Sequence, residues 1–480
     1  MSAWLCSPID VSTRGVLENR FTAAEIGQVY DANTQSTKRK SIAPNSRSED
    51  WLLQQNGRVR LSSNARDLYR NFAIAGWCIR RHLEGVSRFN FHGKADDSGW
   101  NDEIEGFIEW KSLDYNFDQA GRHSRNMLVR LLEMHATIDG DSGLLKIQDG
   151  TVQGIEGDRV RNPPNAIDPT VWVHGIKVAD GGKALAYSIH KRLPYGGFRF
   201  ERTVSSSNML WHGYYSRFDQ YRGVSPIVAA LNDFRDVYEN FDLAKAKAKV
   251  SQLFAMAFYR TAEDAAGDVS EDTDDEGNPL KHSYKVDFAK GPTLLDLDPG
   301  DRAEILESKN PSSEFQNFGL MVIMAALKSL DIPFSFYDES HTNFFGSRGA
   351  WLHYKTTCEQ KQQNLQKVLN RWTAWRVQLG IQDGEITLPR GKTLSDLNWE
   401  WVPRGMQWWD AAKEVTGDLK AMGAGLDNPY RICQERDRGT FEENIRMIAK
   451  AKKFAAGLGV ELSFEANGIQ KKATVPDAAK

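Results

Sequence analysis

Cysteine is scarce in this chain of 480 residues: Cys6, Cys78, Cys358 and Cys433 lie far apart and form no CxxC pair. That spacing gives no disulfide frame and no thiolate zinc site, and it fits reduced thiols in a reducing compartment. Long apolar runs are missing as well. The nearest, Gly319 to Leu327, is too short to span a bilayer, so no membrane partner is expected. The N-terminus shows no basic region followed by an apolar one, and no signal peptide is expected. Net charge is small, at -3, whereas domains that clamp nucleic acid by counterion release carry a strongly basic face. Neither GxxxxGKS, GxxxxGKT nor HExxH occurs, which removes the signatures of a phosphate loop and a zinc-protease helix.

With 40% hydrophobic and 26% charged residues, the chain can bury several cores and should divide into about two to four domains. Two acidic runs invite a calcium reading. Asp139-Gly140-Asp141-Ser142-Gly143 lacks the rest of an EF-hand, notably the closing Glu, and reads as an ordinary turn. Glu271, Asp272, Asp274, Asp275 and Glu276 fit the first half of a calcium loop, but the twelfth position from Asp272 is Ser283, which has no carboxylate. This run is expected to be a solvated loop tip. No metal, cofactor or catalytic residue is therefore assigned.

What is present is helical punctuation. Ser313 and Gln316 have capping-box spacing after Pro311, and Phe315, Phe318, Val322, Ala325 and Ser329 follow at helical intervals, so a helix should run from Ser313 to before Pro333. An exposed loop, Asp338 to Ser347, should come next, then a long helix from Arg348 to about Leu379, ahead of the breaker Gly380. Upstream, Ser225 and Pro226 open the longest helical candidate, to about Phe258, with Val228, Leu231, Phe234, Tyr238 and Phe241 on one stripe. Its acids lie early and Lys245, Lys247 and Lys249 late, which suits the helix dipole; a lysine strip facing DNA is the functional alternative. Between the two helices, residues 259 to 311 are an insertion with short strands at Tyr284 to Val286 and Thr293 to Leu295.

The rest reads as α+β. Residues 1 to about 50 look like a flexible arm, with a basic knot at Lys38-Arg39-Lys40 expected to be merely solvated. Helices are expected at Ser63 to Leu83 and Gly121 to His135, then short antiparallel strands at Leu144 to Ile147, Val152 to Ile155, Val171 to Val173 and Ala186 to Ile189. Glu385 to Leu388 is strand-like. Trp399, Trp401, Trp408 and Trp409 read as packing rather than base stacking, a helical region reaches about Leu458, and the tail past Asn467 should be disordered.

Three stretches resemble the lambda-type family of tailed-phage portal proteins. Arg217-Phe218-Asp219-Gln220-Tyr221-Arg222-Gly223-Val224-Ser225-Pro226 is similar to the family's "RpgQxRGxsxl" lead into its long helix. Pro299-Gly300 through Leu330-Asp331-Ile332-Pro333, then Asn343 to Arg348, resembles its "GIPYE" turn and "NYSSxR" loop, with Phe345 and Gly346 replacing small hydroxyl residues. Trp408 to Glu414 resembles "iDPxKE", with Ala411 where proline is usual. Weaker similarity spans about residues 60 to 460.

The resemblance implies a portal-type α+β subunit that assembles into a ring, typically a dodecamer, through which double-stranded DNA is packaged and ejected. It implies residues 1–55 as arm, 56–224 as wing, 225–250 as first stem helix, 251–311 as clip and 312–332 as second stem helix. Residues 333–347 would be the turn and tunnel loop, 348–400 the long helix and remaining wing, 401–466 a helical crown and 467–480 the tail. His341, Thr342, Asn343, Phe344, Phe345, Gly346 and Ser347 would line the DNA channel, with Lys245, Lys247 and Lys249 as possible channel-facing stem residues. The partners implied are other copies of the chain, the terminase large subunit, capsid and scaffold proteins and a head–tail connector, in the virion at one capsid vertex. The rivals are a scaffold-binding head protein without a channel and, more remotely, a metal-dependent DNA-processing enzyme.

Overall fold

The structure, a computed structural model, describes residues 47–53, 57–166, 168, 170–253, 256–260, 301–305, 313–338, 340, 343–405, 410–460 and 462. The chain opens on a single turn, α1 (Glu49–Leu52), then α2 (Gly57–Asn71), α3 (Ala73–Val86), β1 (Phe89–Gly93), α4 (Ser98–Lys111), α5 (Asp114–Phe117) and α6 (Arg125–Asp139). Strands follow: β2 (Asp141–Lys146), β3 (Val152–Glu156), β4 (Trp172–Val173), β5 (Ile176–Val178), β6 (Ala184–Arg192), β7 (Phe198–Ser205) and β8 (Met209–Gly213). A 3₁₀ turn at Pro226–Ala230 leads into α7 (Leu231–Leu253). After β9 (Met256–Arg260) and β10 (Asp301–Ile305) come α8 (Ser313–Leu327), α9 (Phe344–Gln382), β11 (Trp399–Pro403), α10 (Ala411–Gly423), α11 (Pro429–Glu435) and α12 (Phe441–Gly457).

The main core is helical. In α9, Tyr354, Cys358, Leu365, Leu369 and Trp372 recur at helical spacing and are all buried, so one stripe of this long helix faces inward. It packs against α3 and β11, the latter paired antiparallel with β1. Trp401 of β11 sits at the centre. Its ring lies 6.3 Å from that of Trp372, and its indole N–H donates to Thr373 Oγ1 at 3.0 Å. A smaller core lies under two antiparallel sheets, of order β3-β2-β8 and β4-β5-β6-β7, and is filled by Leu145, Ile155, Ile176, Ile189 and Met209 among others.

Tertiary packing moves several boundaries. The helix expected from Ser63 to Leu83 is two helices, because Phe72 is extended (φ -115°, ψ 109°) and its ring packs edge-on to Phe234 and Tyr238 of α7 at 6.2 and 5.5 Å. Nothing local breaks the pattern there. Gly380, expected as a breaker, lies inside α9; a Cβ on it would come 2.7 Å from the Phe107 ring, so this glycine serves close packing. Glu385 to Leu388 forms no strand. The helix expected from Gly121 starts at Arg125, while α4, β1, β7 and β8 had no counterpart in the sequence reading. The strands expected at Tyr284 to Val286 and Thr293 to Leu295 and the acidic run at Glu271, Asp272, Asp274, Asp275 and Glu276 lie outside the described residues, as do Trp408, Trp409, residues 1–46 and the tail.

Because Trp401 is almost wholly buried, Trp401→Ala should destabilise the fold by about 3–5 kcal/mol. The measurement is the urea midpoint followed by tryptophan fluorescence; an unshifted midpoint would return this residue to the surface.

Candidate functional site

The lead into α7 is built on one buried ion pair. The Arg222 guanidinium has five N–H donors, and all are used. Nε and Nη2 donate to Asp141 Oδ2 and Oδ1 at 2.7 and 2.9 Å, Nη2 also to Gly157 O at 2.6 Å, and Nη1 to the carbonyls of Val160, at 2.9 Å, and His174. Asp141 further accepts from Gly223 N at 2.8 Å and from the Arg58 guanidinium. Burial opposes the charge on each of the pair. The attraction to Asp141 outweighs it at Arg222, which stands above its ordinary value, and the charges of Arg222 and Arg58 outweigh it at Asp141, which stands below the usual carboxylate range. Arg58, less favourably placed, is pushed down to about 10 by burial and by Arg222.

Backbone contact makes this pair possible. A Cβ on Gly223 would lie 2.0 Å from Gly140 O, and one on Gly157 would lie 2.4 Å from Asp141 O. Gly140 also ends α6 at φ 98°, a region that favours glycine. The Asp139–Gly143 stretch, expected as an ordinary turn, is instead the last residue of α6, a single bend at Gly140 and the start of β2, and its acids are structural anchors: Asp139 takes a bidentate pair from Arg66 at 2.7 Å. Asp50 closes the hub from the other side, accepting from the N–H groups of Tyr221 and Arg222 at 2.8 and 3.0 Å. The last residues of the expected arm are therefore fastened to the core. From sequence alone only the Arg-Gly-x-Ser string hinted at this hub; the acids that answer it lie in separate segments.

A second polar cluster underlies it. The fully buried Glu133 accepts from Nε2 of His82 at 2.8 Å, Nε2 of His212 at 2.6 Å, and the Tyr214 hydroxyl. Burial disfavours this carboxylate, but the hydrogen bonds from His212 and His82 outweigh that, and Glu133 is held well below its usual range. Burial dominates at His82 and lowers it, so its imidazole is neutral with the proton on Nε2.

The 3₁₀ turn that leads into α7 starts from this base. Ser225 caps the 3₁₀ turn by accepting from Ile227 N at 3.3 Å, and its hydroxyl donates to Thr137 O at 2.6 Å. Pro226–Ala230 meets the turn Lys328–Leu330 that ends α8, while Phe241 packs 6.3 Å from Phe315 near the start of α8. The pair therefore runs antiparallel, and α7, at 23 residues, is roughly 35 Å long. Lys245, Lys247 and Lys249 are exposed on it. They are not one strip: Lys245 and Lys249 share a face, and Lys247 points roughly 160° away at the helical repeat. At the end of α8, Asp331 stands where the family turn has glycine, with φ 61°. Ile332 N donates to Leu327 O and Asp331 N to Lys328 O, both at 3.1 Å, a Schellman closure that Lys361 of α9 supports by pairing with Asp331 at 3.3 Å.

The loop is shorter than expected. The long helix begins at Phe344 rather than Arg348, because Asn343 is an N-cap whose side chain accepts from Gly346 N at 2.7 Å. Phe344, Phe345, Gly346 and Ser347 thus form the first turn of α9, with the Phe345 ring 80% exposed. His341 and Thr342 lie outside the described residues. Among the described residues no cluster of three or more His, Cys, Asp or Glu could hold a metal.

The described residues thus form an α+β body with an antiparallel helix pair, α7 and α8, followed by the long helix α9. A family model described as "Phage portal protein, lambda family" matches residues 35–362. The chain belongs to this family of phage portal proteins, which are structural head–tail connectors and not enzymes. No curated protein matches it. Similar solved structures include the neck of an empty gene transfer agent (GTA) particle computed with C6 symmetry, at 12% identity, covering 77% of this chain and 92% of that one, with a TM-score of 0.46. Another is the neck of a native GTA particle computed with C12 symmetry, at 13%, 79%, 97% and 0.45. A third is an HK97 family phage portal protein from Corynebacterium diphtheriae, at 12%, 60%, 82% and 0.29.

Asp141→Asn should cost about 3–5 kcal/mol, since it leaves the buried Arg222 guanidinium, and the half-buried Arg58 beside it, without their counter-charge; urea unfolding measures it. The acid response follows from three lowered groups. The unfolded chain takes up protons before the folded one, at His82 from near 6.5, and at Glu133 and Asp141 from near 4.5 and 3.8, so stability drains as pH falls. The melting temperature should be level between about pH 7 and 8, decline from about pH 6.5 and steepen below about pH 4.5. A level profile down to pH 4 would contradict this.

Proposed function

We propose that the chain forms a ring of roughly twelve copies at one vertex of a phage head and is the channel through which double-stranded DNA enters and leaves. The observation that supports this most is the antiparallel pair α7 and α8, joined by the excursion 254–312 and followed directly by the turn at Pro333 and α9, in a chain of the portal family. In this reading the helix pair is the stem, the excursion is the clip that meets the terminase large subunit and the head–tail connector, and α10 to α12 form the crown. Capsid and scaffold proteins contact the wing.

The channel constriction is assigned to residues 338–347. Asn343, exposed at the head of α9, presents a neutral amide that makes no lasting ion pair with phosphate, so DNA can slide past it. His341 and Thr342 extend the neutral surface. The Phe345 ring, exposed in the first turn of α9, lines the constriction or meets the adjacent copy. Lys245 and Lys249 on one face of α7 supply the only basic contribution that this reading gives to the stem wall, and Lys247 faces elsewhere.

Purified protein should show particles with a central hole by electron microscopy; a uniformly monomeric species under assembly-promoting salt would refute the ring. The constriction has its own test. Asn343→Asp keeps the cap yet places roughly a dozen carboxylates around the DNA, which should lower the nuclease-protected DNA retained in heads. Retention equal to wild type, with Asn343 imaged away from the channel, would remove the assignment.

A further inference from the structure

The wing carries a basic arm that the channel does not use. Between residues 183 and 205 five lysines and arginines stand against one acid, Glu201, in a chain whose formal charge is -3. Past Ile189, β6 and β7 continue as a two-stranded ribbon, with Lys191 opposite Arg199 and Arg192 opposite Phe198. Its tip is in solvent: Tyr195 is 101% exposed. Some of the charge is answered locally. Arg192 pairs with Glu156 at 2.6 Å and Asp158 at 2.8 Å, and Arg202 lies 3.6 Å from Glu201. Lys183, Lys191 and Arg199 make no ion pair among the described residues, and all three are exposed.

Like charges directly opposite on a strand pair repel, so Lys191 and Arg199 are costly without an anion between them. Protection of a sheet edge against stray pairing explains Arg199 and Arg202, because β7 is the edge strand. At Lys191 β6 pairs only with β7, because β5 pairs it no further than Tyr187, so edge protection covers Lys191 as well; it does not explain two like charges set directly opposite each other or a bare tyrosine at the tip. Phe198 adds stiffness at the turn, with the Arg161 guanidinium 3.9 Å above its ring.

We infer that this ribbon is a second DNA-contacting surface, separate from the channel, which holds double-stranded DNA by its phosphates. A two-stranded ribbon fits the major groove, about 12 Å wide. Lys191 and Arg199 would neutralise phosphates on its flanks, and the Tyr195 hydroxyl would donate to a phosphate or sugar oxygen. No base is read, so the contact is independent of sequence and strongly salt-dependent. The source of DNA rests on the phage-portal reading; the surface itself does not need the ring.

The test is binding of a 30-base-pair duplex to the full-length protein, followed by fluorescence anisotropy across a salt series. The double variant K191Q/R199Q alters two exposed side chains and leaves the hydrophobic cores untouched. It should bind about tenfold more weakly, and its plot of log affinity against log salt should be less steep by about 1.8, or 0.9 for each lost phosphate contact. Tyr195→Ala should weaken binding without changing the slope. Equal slopes for wild type and K191Q/R199Q overturn the inference. So does an unchanged slope combined with lost incorporation into heads, which would give the ribbon to an acidic protein instead. Electron microscopy of the same samples scores ring formation separately, so failure of the ring and failure of the ribbon are distinguishable.

Discussion

The bidentate pair between Asp141 and Arg222 is the constraint on which the rest of the molecule depends. Each charge alone would be expensive to bury, and each is made tolerable by a complete set of partners. Those partners come from α2 through Arg58, from the loop after β3 through Gly157 and Val160, and from the N-terminal turn, where Asp50 binds the Arg222 backbone N–H. Replacing the pair by an apolar contact could leave the fold as stable. What an apolar contact would not supply is direction: a planar fork and a planar carboxylate fix the angle at which the chain leaves the sheet for α7.

That angle matters because α7 is held by packing only over its first turns. Near its base, α7 is held by Phe234, Val237 and Tyr238 against Phe72 and α8, but from Asp242 onward most of its described side chains are exposed. Ser225, tied to Thr137 beside the Glu133 cluster, couples the start of α7 to the histidines beneath it. Lys361 closes the other helix of the pair by binding the Leu330 carbonyl and Asp331, so α7 and α8 are fixed at the same end by charged side chains.

The channel and the wing ribbon would treat the same polymer in opposite ways. In the proposed ring, neutral amides would let DNA move, whereas Lys191 and Arg199, which make no ion pair among the described residues, would retain it. The near-zero net charge conceals this division, because acids elsewhere in the chain cancel the ribbon's charge in the sum but not in space.

The sequence by itself determined what depends on local pattern. The stripe from Val228 to Phe241, the Ser225-Pro226 start, the stop at Pro333 and the long helix after the loop are all legible, because capping and helical periodicity act over a few residues. So was family membership, carried by the order of short motifs. Tertiary structure decided what depends on partners far along the chain. Phe72 leaves its helix because two aromatic rings of α7 receive it, and Gly380 stays helical because Phe107 needs the space. The Asn343 cap was written in the sequence yet passed for loop, since an Asn before two aromatics and a glycine equally suits a turn. Arg222 and Asp141 stand 81 positions apart, and no local pattern links them; only folding brings a buried charge to its counter-charge.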